Sequence, residues 1–598
     1  MECPVCNTNL VDHDDAAANH HVNTCLDAAQ APDPVPVAIE DSDDSDSDIE
    51  IVAKEDTKNG VKEESKVERE VSVKAEGSAL DSLSKDTEDT KDASEPPAKK
   101  QKVSAFNVLM SSNKEQQQLN HTQITQATLP KQQRQPPFYK ILQGMPIAVD
   151  AFAFGTIPNI TAYFLTHAHS DHYQSLSKNW TGGLIYCSEI TANLVHHICG
   201  VSRDYLRPLS NNTKHVIPDT DGVTVTLIDA NHCPGSSIIV FEGKQTIDAV
   251  PTSYNSPWIG SQRTFRYLHC GDFRASPAHI NHPAIHGTKF DIIYLDTTYL
   301  NPVYSFPPQP QVIDACRDLV LANLRGEMQV NGSMLDMIKS GFKKVSDSVT
   351  GSVSEAGEAG EAVGESAVVK SEGDVKPSTS TTSQLPKDVL VVVGTYSIGK
   401  ERIVKAIAHS LNSKVFADRR RQLLLRNEED EELNALLTED PYAAQVHIQG
   451  LGGVTINTLP DYIAKFKGHF SRVIGIKPTG WTYKNPDGSS STNTNLSIEY
   501  ILKRDLSRWY TYKNIFSTRG SNDYVSCYGV PYSEHSSFTE LTCFALSIDH
   551  NRIIATVNTA KPASRLRMKN WFDAWLAERK KRCDRGEFTV KARAEDFW

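Results

Sequence analysis

Thr166-His167-Ala168-His169-Ser170-Asp171-His172 places four metal-competent side chains within six residues, directly after the apolar run Thr161-Ala162-Tyr163-Phe164-Leu165. Such a run reads as a β-strand, and a strand hands the polar block to a loop at its C-terminal end. Neutral imidazoles mixed with carboxylates suit zinc or a similar borderline ion. An H-x-H-x-D-H spacing can serve two ions a few ångströms apart.

Working outward, a strand that ends in a donor recurs along the chain. Ile147-Ala148-Val149 ends at Asp150, a carboxylate able to orient an imidazole through its distal nitrogen. Val223 to Ile228 is apolar enough to predict burial on both faces and leads to Asn231-His232-Cys233-Pro234-Gly235. Phe265 to Cys270 runs into Gly271-Asp272-Phe273-Arg274, and Phe290 to Leu295 runs into Asp296-Thr297-Thr298-Tyr299. In sheets flanked by helices, chemistry gathers at the carboxyl ends of strands, where loops converge. One shared rim is therefore expected to hold Asp150, His167, His169, Asp171, His172, His232, Asp272 and Asp296. Asp272, placed late in this order, is assigned the role of a carboxylate bridging two ions.

The 598 residues are not uniform. Residues 1–100 hold 26 acidic against 10 basic side chains and almost no aromatics, a composition that cannot bury enough apolar surface to fold. The whole chain carries −12, so the remainder is mildly basic, which permits a polyanionic substrate. Eleven thinly spread cysteines, no signal-like start and no long apolar run predict a soluble, intracellular protein without a membrane segment.

Within the acidic region, Cys3, Cys6, His21 and Cys25 supply four tetrahedral ligands with no open position, so a zinc there is structural. This segment resembles the CCHC ubiquitin-binding zinc finger of DNA-repair proteins, with Leu26-Asp27 at its end. Ile49-Glu50-Ile51-Val52 follows an acidic run and resembles a SUMO-interacting motif, a strand added to a sheet edge. Pro97-Ala98-Lys99-Lys100-Gln101-Lys102-Val103 resembles a nuclear import signal. Phe106 to Met110 is an apolar island with the character of a docking peptide.

Further on, residues 345–386 are rich in Ser, Gly, Glu and Thr and read as a disordered loop. Gly394 to Gly399-Lys400-Glu401 nearly spells a phosphate-binding P-loop, but Glu401 stands where a magnesium-binding hydroxyl is required, which argues against a nucleotide. The turn is still expected to cradle a phosphate with backbone N–H groups, Lys400 beside it. Lys477 and Trp481, in an interleaved basic and aromatic tract, suit backbone contact and base stacking. Ser537 and Glu540 have capping-box spacing, so a helix is expected to start there, with Ser536, Ser537 and His535 at an anion-attracting end.

Asp150, the H-x-H-x-D-H block, His232 in its Asn-His-Cys-Pro-Gly setting and Asp272 in Gly-Asp-Phe-Arg resemble the four motifs of the metallo-β-lactamase fold. Asp296 with Thr297-Thr298-Tyr299, and His535, resemble two motifs of its β-CASP nucleases. The wording is similar to the DNA interstrand cross-link repair branch, which is Artemis-related. The resemblance implies a mixed α/β (α+β) fold: a four-layer αββα sandwich with an inserted β-CASP domain, after a disordered N-terminal region carrying the small finger. The expected division is 1–28 finger, 29–135 disordered regulatory region, 136–310 first part of the metallo-β-lactamase domain, 311–521 β-CASP domain, and 522–598 return and C-terminal tail. The implied activity is hydrolysis of DNA phosphodiesters from 5′-phosphorylated ends, 5′ to 3′. His167, His169, His232 and Asp272 would hold one tight zinc. Asp171, His172 and Asp272 would hold a weaker zinc or magnesium, while Asp171, Asp296 and His535 act in catalysis and Ser536 and Ser537 form the 5′-phosphate pocket. A nuclear monomer acting on DNA is expected, reached by ubiquitin through 1–28 and SUMO through 49–52. An RNA-processing β-CASP endonuclease is the alternative, disfavoured because Val557 stands where those relatives carry a metal-binding histidine. A non-enzymatic ubiquitin- or SUMO-recruited adaptor is the other, disfavoured because no ligand is missing.

Overall fold

Alternate residues of the strands that end in the expected donors point into two different cores. Ile228, Ile238, Val240, Leu268, Ile293 and Leu295 pack in one cluster, and Leu227, Ile239, Phe241, Tyr267, Ile292 and Tyr294 in another. Successive strand side chains face opposite ways, so a strand apolar on both faces must lie between two layers. The computed structural model describes residues 135–249, 256–327, 385–483 and 496–598. The finger at Cys3, Cys6, His21 and Cys25, the region 29–134, the 49–52 segment and nearly all of the 345–386 loop lie outside them.

The first sheet is parallel, in the order β1 (Ile147–Val149), β2 (Ala162–Phe164), β3 (Leu184–Cys187), β4 (Leu206–Pro208). Val149, Phe164 and Tyr186 face the second sheet, while Tyr163, Ile185 and Cys187 face helix Glu189–Cys199 through Ala192 and Val195. The second sheet continues with β5 (Lys214–Val216), β6 (Thr224–Asp229), β7 (Ser237–Lys244), β8 (Thr264–His269) and β9 (Lys289–Leu295), antiparallel up to the parallel β8–β9 pair. Across the interior, Phe164 meets Phe241 edge to face at 5.0 Å, a pairing that contributes about 0.5–1.5 kcal/mol beyond its area.

Between β9 and the last strand the chain builds a third sheet from β10 (Val389–Thr395), β11 (Lys414–Phe416), β12 (Leu437–Thr438), β13 (Ala444–Gly450), β14 (Arg472–Pro478) and β15 (Val525–Val530), parallel throughout. β10 is buried along its whole length, Val391 and Val393 in one core and Leu390 and Val392 in the other, as its continuous apolar run requires. β16 (Asp549–Ala555) then pairs with β9, and helices Phe538–Ser547 and Pro562–Asp584 close the outer face with Phe538, Phe544, Trp571 and Trp575. Helix, sheet, sheet, helix is the expected sandwich. One boundary moves: Val525–Val530, expected in the return that begins at 522, is hydrogen-bonded to β14 and is the edge of the inserted sheet. Among the described residues no helix is long and apolar enough to cross a membrane.

Candidate metal centre

Asp150 takes the left-handed backbone conformation, φ 50°, as β1 ends, and this turns its carboxylate along the end of β2. Its Oδ1 accepts the Thr166 N–H at 2.9 Å and its Oδ2 accepts the Thr166 hydroxyl at 2.8 Å. The same Oδ2 lies 2.7 Å from His172 Nδ1, which directs His172 Nε2 toward Asp272 Oδ2 at 3.1 Å and Asp171 Oδ2 at 3.3 Å. The loop after β8 comes this near because residue 271 is glycine. Its φ is +56°, and a Cβ there would lie 2.8 Å from Thr166 Cβ.

His167 Nε2 is 3.7 Å from Asp272 Oδ2, and His169 Nδ1 is 3.1 Å from His232 Nε2. The rings of His167, His169 and His232 stand edge-on to one another at 4.7–4.9 Å between centroids. Among the described residues, candidate ligand atoms within 4.8 Å of one another form three overlapping sets: His167, His169, His232 and Cys233; His167, His172 and Asp272; His232, Asp272 and His535. His167 Nε2 is buried with no hydrogen-bond partner, a costly state that a cation would relieve. Burial, followed by the neighbouring imidazoles, pushes His167 well below its ordinary pKa; burial chiefly lowers His169, and burial with His535 lowers His232. Neutral imidazole is the form that ligates metal. Burial works against charge on His172 too, but Asp272, Asp171 and Asp150 surround it and hold it well above the ordinary value. Three carboxylates around one ring mark a place for positive charge. The donor set fits a divalent ion.

Beside the imidazoles, Asp296 is buried, its Oδ1 accepting the Thr298 N–H at 2.9 Å and hydroxyl at 2.6 Å, its Oδ2 lying 2.9 Å from His535 Nδ1. Burial opposes its ionisation, yet His535 and Thr298 hold the carboxyl below the usual range. The His535 ring stands 4.7 Å from that of His232. Asp171 presents a side chain 75 % exposed, the open side of the cluster. Asp150, His167, His169, Asp171, His172, His232, Asp272, Asp296 and His535 thus meet at one rim.

Three expected contacts are corrected. The Ser536 hydroxyl donates to Phe273 O at 2.8 Å and accepts the Ala275 N–H at 2.9 Å, and Ser537 caps its helix by accepting the Glu540 N–H at 3.2 Å. Both are 1 % exposed, and each hydroxyl is engaged within the protein rather than presented to solvent. Lys400 is buried, its ammonium over the Tyr396 ring and 3.8 Å from Glu534 Oε2, while the Gly399 and Lys400 N–H groups donate to the carboxylates of Glu401 and Glu534. Carboxylates fill the turn that a phosphate was expected to enter. Glu401 is pushed up to about 7 by burial and by Glu534. Trp481 is half-exposed and rests on Tyr299 at 5.0 Å, itself 6.1 Å from His535; Lys477 lies partly exposed on β14. Cys233, the Glu534 carbonyl and Tyr299 also belong to this rim without a role assigned from sequence. Only the position of Cys233 and Glu534 next to His232 and His535 signals them.

Asp150→Asn is expected to weaken metal retention by roughly 10- to 100-fold, the usual cost of losing a partner behind a ligand. Competition with a chromophoric chelator measures it, and an unchanged affinity would remove Asp150 from this role.

Residues 431–561 match the family model described as DNA repair metallo-beta-lactamase. The chain is similar to the DNA cross-link repair protein pso2/snm1 of Schizosaccharomyces pombe, 38% identical over 446 residues, 74% of this chain and 65% of that protein. It is similar to the DNA cross-link repair protein SNM1 of Arabidopsis thaliana, 31% identical over 440 residues, 74% of this chain and 70% of that protein. A shorter stretch, 28% of this chain and 32% of the relative, is 39% identical to the 5′ exonuclease Apollo of Gallus gallus. The chain therefore spans just under two thirds of the first of these relatives.

Proposed function

The chain belongs to the DNA cross-link repair SNM1/PSO2 family, and from that premise we propose that it is a zinc-dependent nuclease removing nucleotides from 5′-phosphorylated DNA ends during interstrand cross-link repair. The observation that carries the reading is the buried, unpartnered His167 Nε2 at the centre of four further imidazoles and Asp272, beside the Asp296–His535 pair. His167, His169, His232 and Asp272 would hold a tight zinc; Asp171, His172 and a bridging Asp272 would hold a second, weaker zinc or magnesium. Such ions supply Lewis acidity that brings water toward ionisation at neutral pH and offsets negative charge on phosphate oxygens.

The chain's own groups perform the rest. Asp171, exposed at the open side, accepts a hydrogen bond from the attacking water and orients it. Asp296 fixes His535 through Nδ1 and so orients the ring as the proton donor to the departing 3′-oxygen. The new P–O bond forms as the P–O3′ bond breaks, so the phosphate stays on the shortened strand and renews a 5′-phosphorylated end. Trp481, propped by Tyr299 and Tyr304, would stack an unpaired base, a contact worth about 1–3 kcal/mol, and Lys477 would meet the backbone. Outside the described residues, a zinc finger at 1–28 would recruit the enzyme to ubiquitin and 49–52 to SUMO, in the nucleus and as a monomer.

Purified protein is expected to shorten 5′-phosphorylated single-stranded DNA from its 5′ end, to act more slowly on 5′-hydroxyl DNA and on RNA, and to stop when a chelator removes metal. Cleavage that persists in chelator, or equal cleavage of RNA, would sink the proposal.

A further inference from the structure

Two of the imidazoles are held from behind by backbone carbonyls of other segments. His169 Nε2 lies 3.4 Å from Ile398 O, in the turn after β10, and His232 Nδ1 lies 3.0 Å from Glu534 O, after β15. A neutral imidazole that donates one N–H to a carbonyl presents its other nitrogen as a lone pair. His169 Nδ1 and His232 Nε2, the nitrogens left over, are the pair that face each other at 3.1 Å.

The two carbonyls are themselves tied together. The Glu534 carboxylate accepts the Lys400 N–H at 2.5 Å, and the Lys400 ammonium stands 3.8 Å from its Oε2. Ile398, Lys400 and Glu534 are all buried. Gly399 has φ +98°, a backbone conformation that favours glycine, and a Cβ there would lie 2.6 Å from Glu534 Oε2, so any side chain would displace that carboxylate. A buried ion pair contributes little net stability against its desolvation, which makes geometry the better account of its presence.

Resting on the reading of the cluster as a zinc site, we infer that the Gly399–Lys400 turn and Glu534 form a latch that sets the tautomer and direction of His169 and His232. The seating of the inserted sheet thereby governs how tightly the catalytic metal is held. Gly399, Lys400 and Glu534 are positioning residues, acting through two ligands.

The test uses the full chain in a Cys3→Ala background, which silences the N-terminal zinc site. Zinc affinity is measured by chelator competition, the absorption of the cobalt-loaded protein is recorded, and thermal melts of the metal-free protein control for folding. Glu534→Ala is expected to lower affinity about 10- to 100-fold and to alter the cobalt spectrum, as for other losses of support behind a ligand. Glu534→Gln, which keeps an acceptor for the Lys400 N–H, is expected to recover most of the affinity. Gly399→Ala is expected to reproduce the loss, and it decides the matter should Glu534→Ala fail to fold. Wild-type affinity and spectrum in both Glu534→Ala and Gly399→Ala would overturn the latch. Wild-type protein that holds no metal in the catalytic cluster would overturn the site reading itself, and the latch with it.

Discussion

Asp272→Asn is expected to lower the proposed hydrolysis of 5′-phosphorylated DNA by about 1,000-fold or more while the protein stays folded. The carboxylate lies 3.1 Å from His172 Nε2 and 3.7 Å from His167 Nε2, so it serves both halves of the cluster. Asparagine keeps the shape and removes the charge. Several kcal/mol of transition-state charge stabilisation depend on the metal, and each 1.36 kcal/mol is tenfold in rate. Rate constants, metal content and a near-ultraviolet circular dichroism spectrum check the three parts together. A variant with full activity and full metal content would remove Asp272 from the site. One that lost both along with its dichroism would show a folding defect instead.

The second large effect falls on stability, at Arg274→Met. The guanidinium is 1 % exposed and pairs with Glu540 Oε1 at 2.9 Å, while also donating to Ser533 O and Pro307 O and lying over the Phe306 ring at 5.1 Å. It joins the loop after β8, the segment leading to His535 and the start of the inserted segment. Removing one partner of a buried pair strands the other, a loss of about 3–5 kcal/mol. Melting temperature should fall by roughly 5 °C or more, and the double variant Arg274→Met with Glu540→Gln should recover part of it. A single variant as stable as wild type would mean that water already satisfies Glu540.

Arg274 also illustrates what was hidden. In the sequence it is one letter of Gly-Asp-Phe-Arg, and nothing local says that it is buried, because its partner Glu540 is 266 positions away. Asp272, two residues earlier, was legible because a carboxylate at the end of an apolar strand has few bland uses. The hydroxyls of Ser536 and Ser537 make contacts that the sequence does not announce, for a related reason. A hydroxyl at a helix start looks free to meet an anion until the neighbouring strand end and the helix's own N–H are seen to use it. At Lys400 the phosphate-loop wording specifies a turn, and a turn does not say whether phosphate or carboxylate will fill it.

Read alone, the residue pattern sets the sandwich and the donors that gather at its rim. Strand periodicity and the donors closing each strand are local properties, and strands packed side by side must bring their ends to one rim. The packing of distant segments sets which nitrogen of His169 and of His232 faces the cluster and which polar groups are already engaged. Those depend on carbonyls 229 and 302 residues away in sequence, at Ile398 and Glu534, and a hydrogen-bond partner supplied by folding leaves no trace in either residue's own neighbourhood.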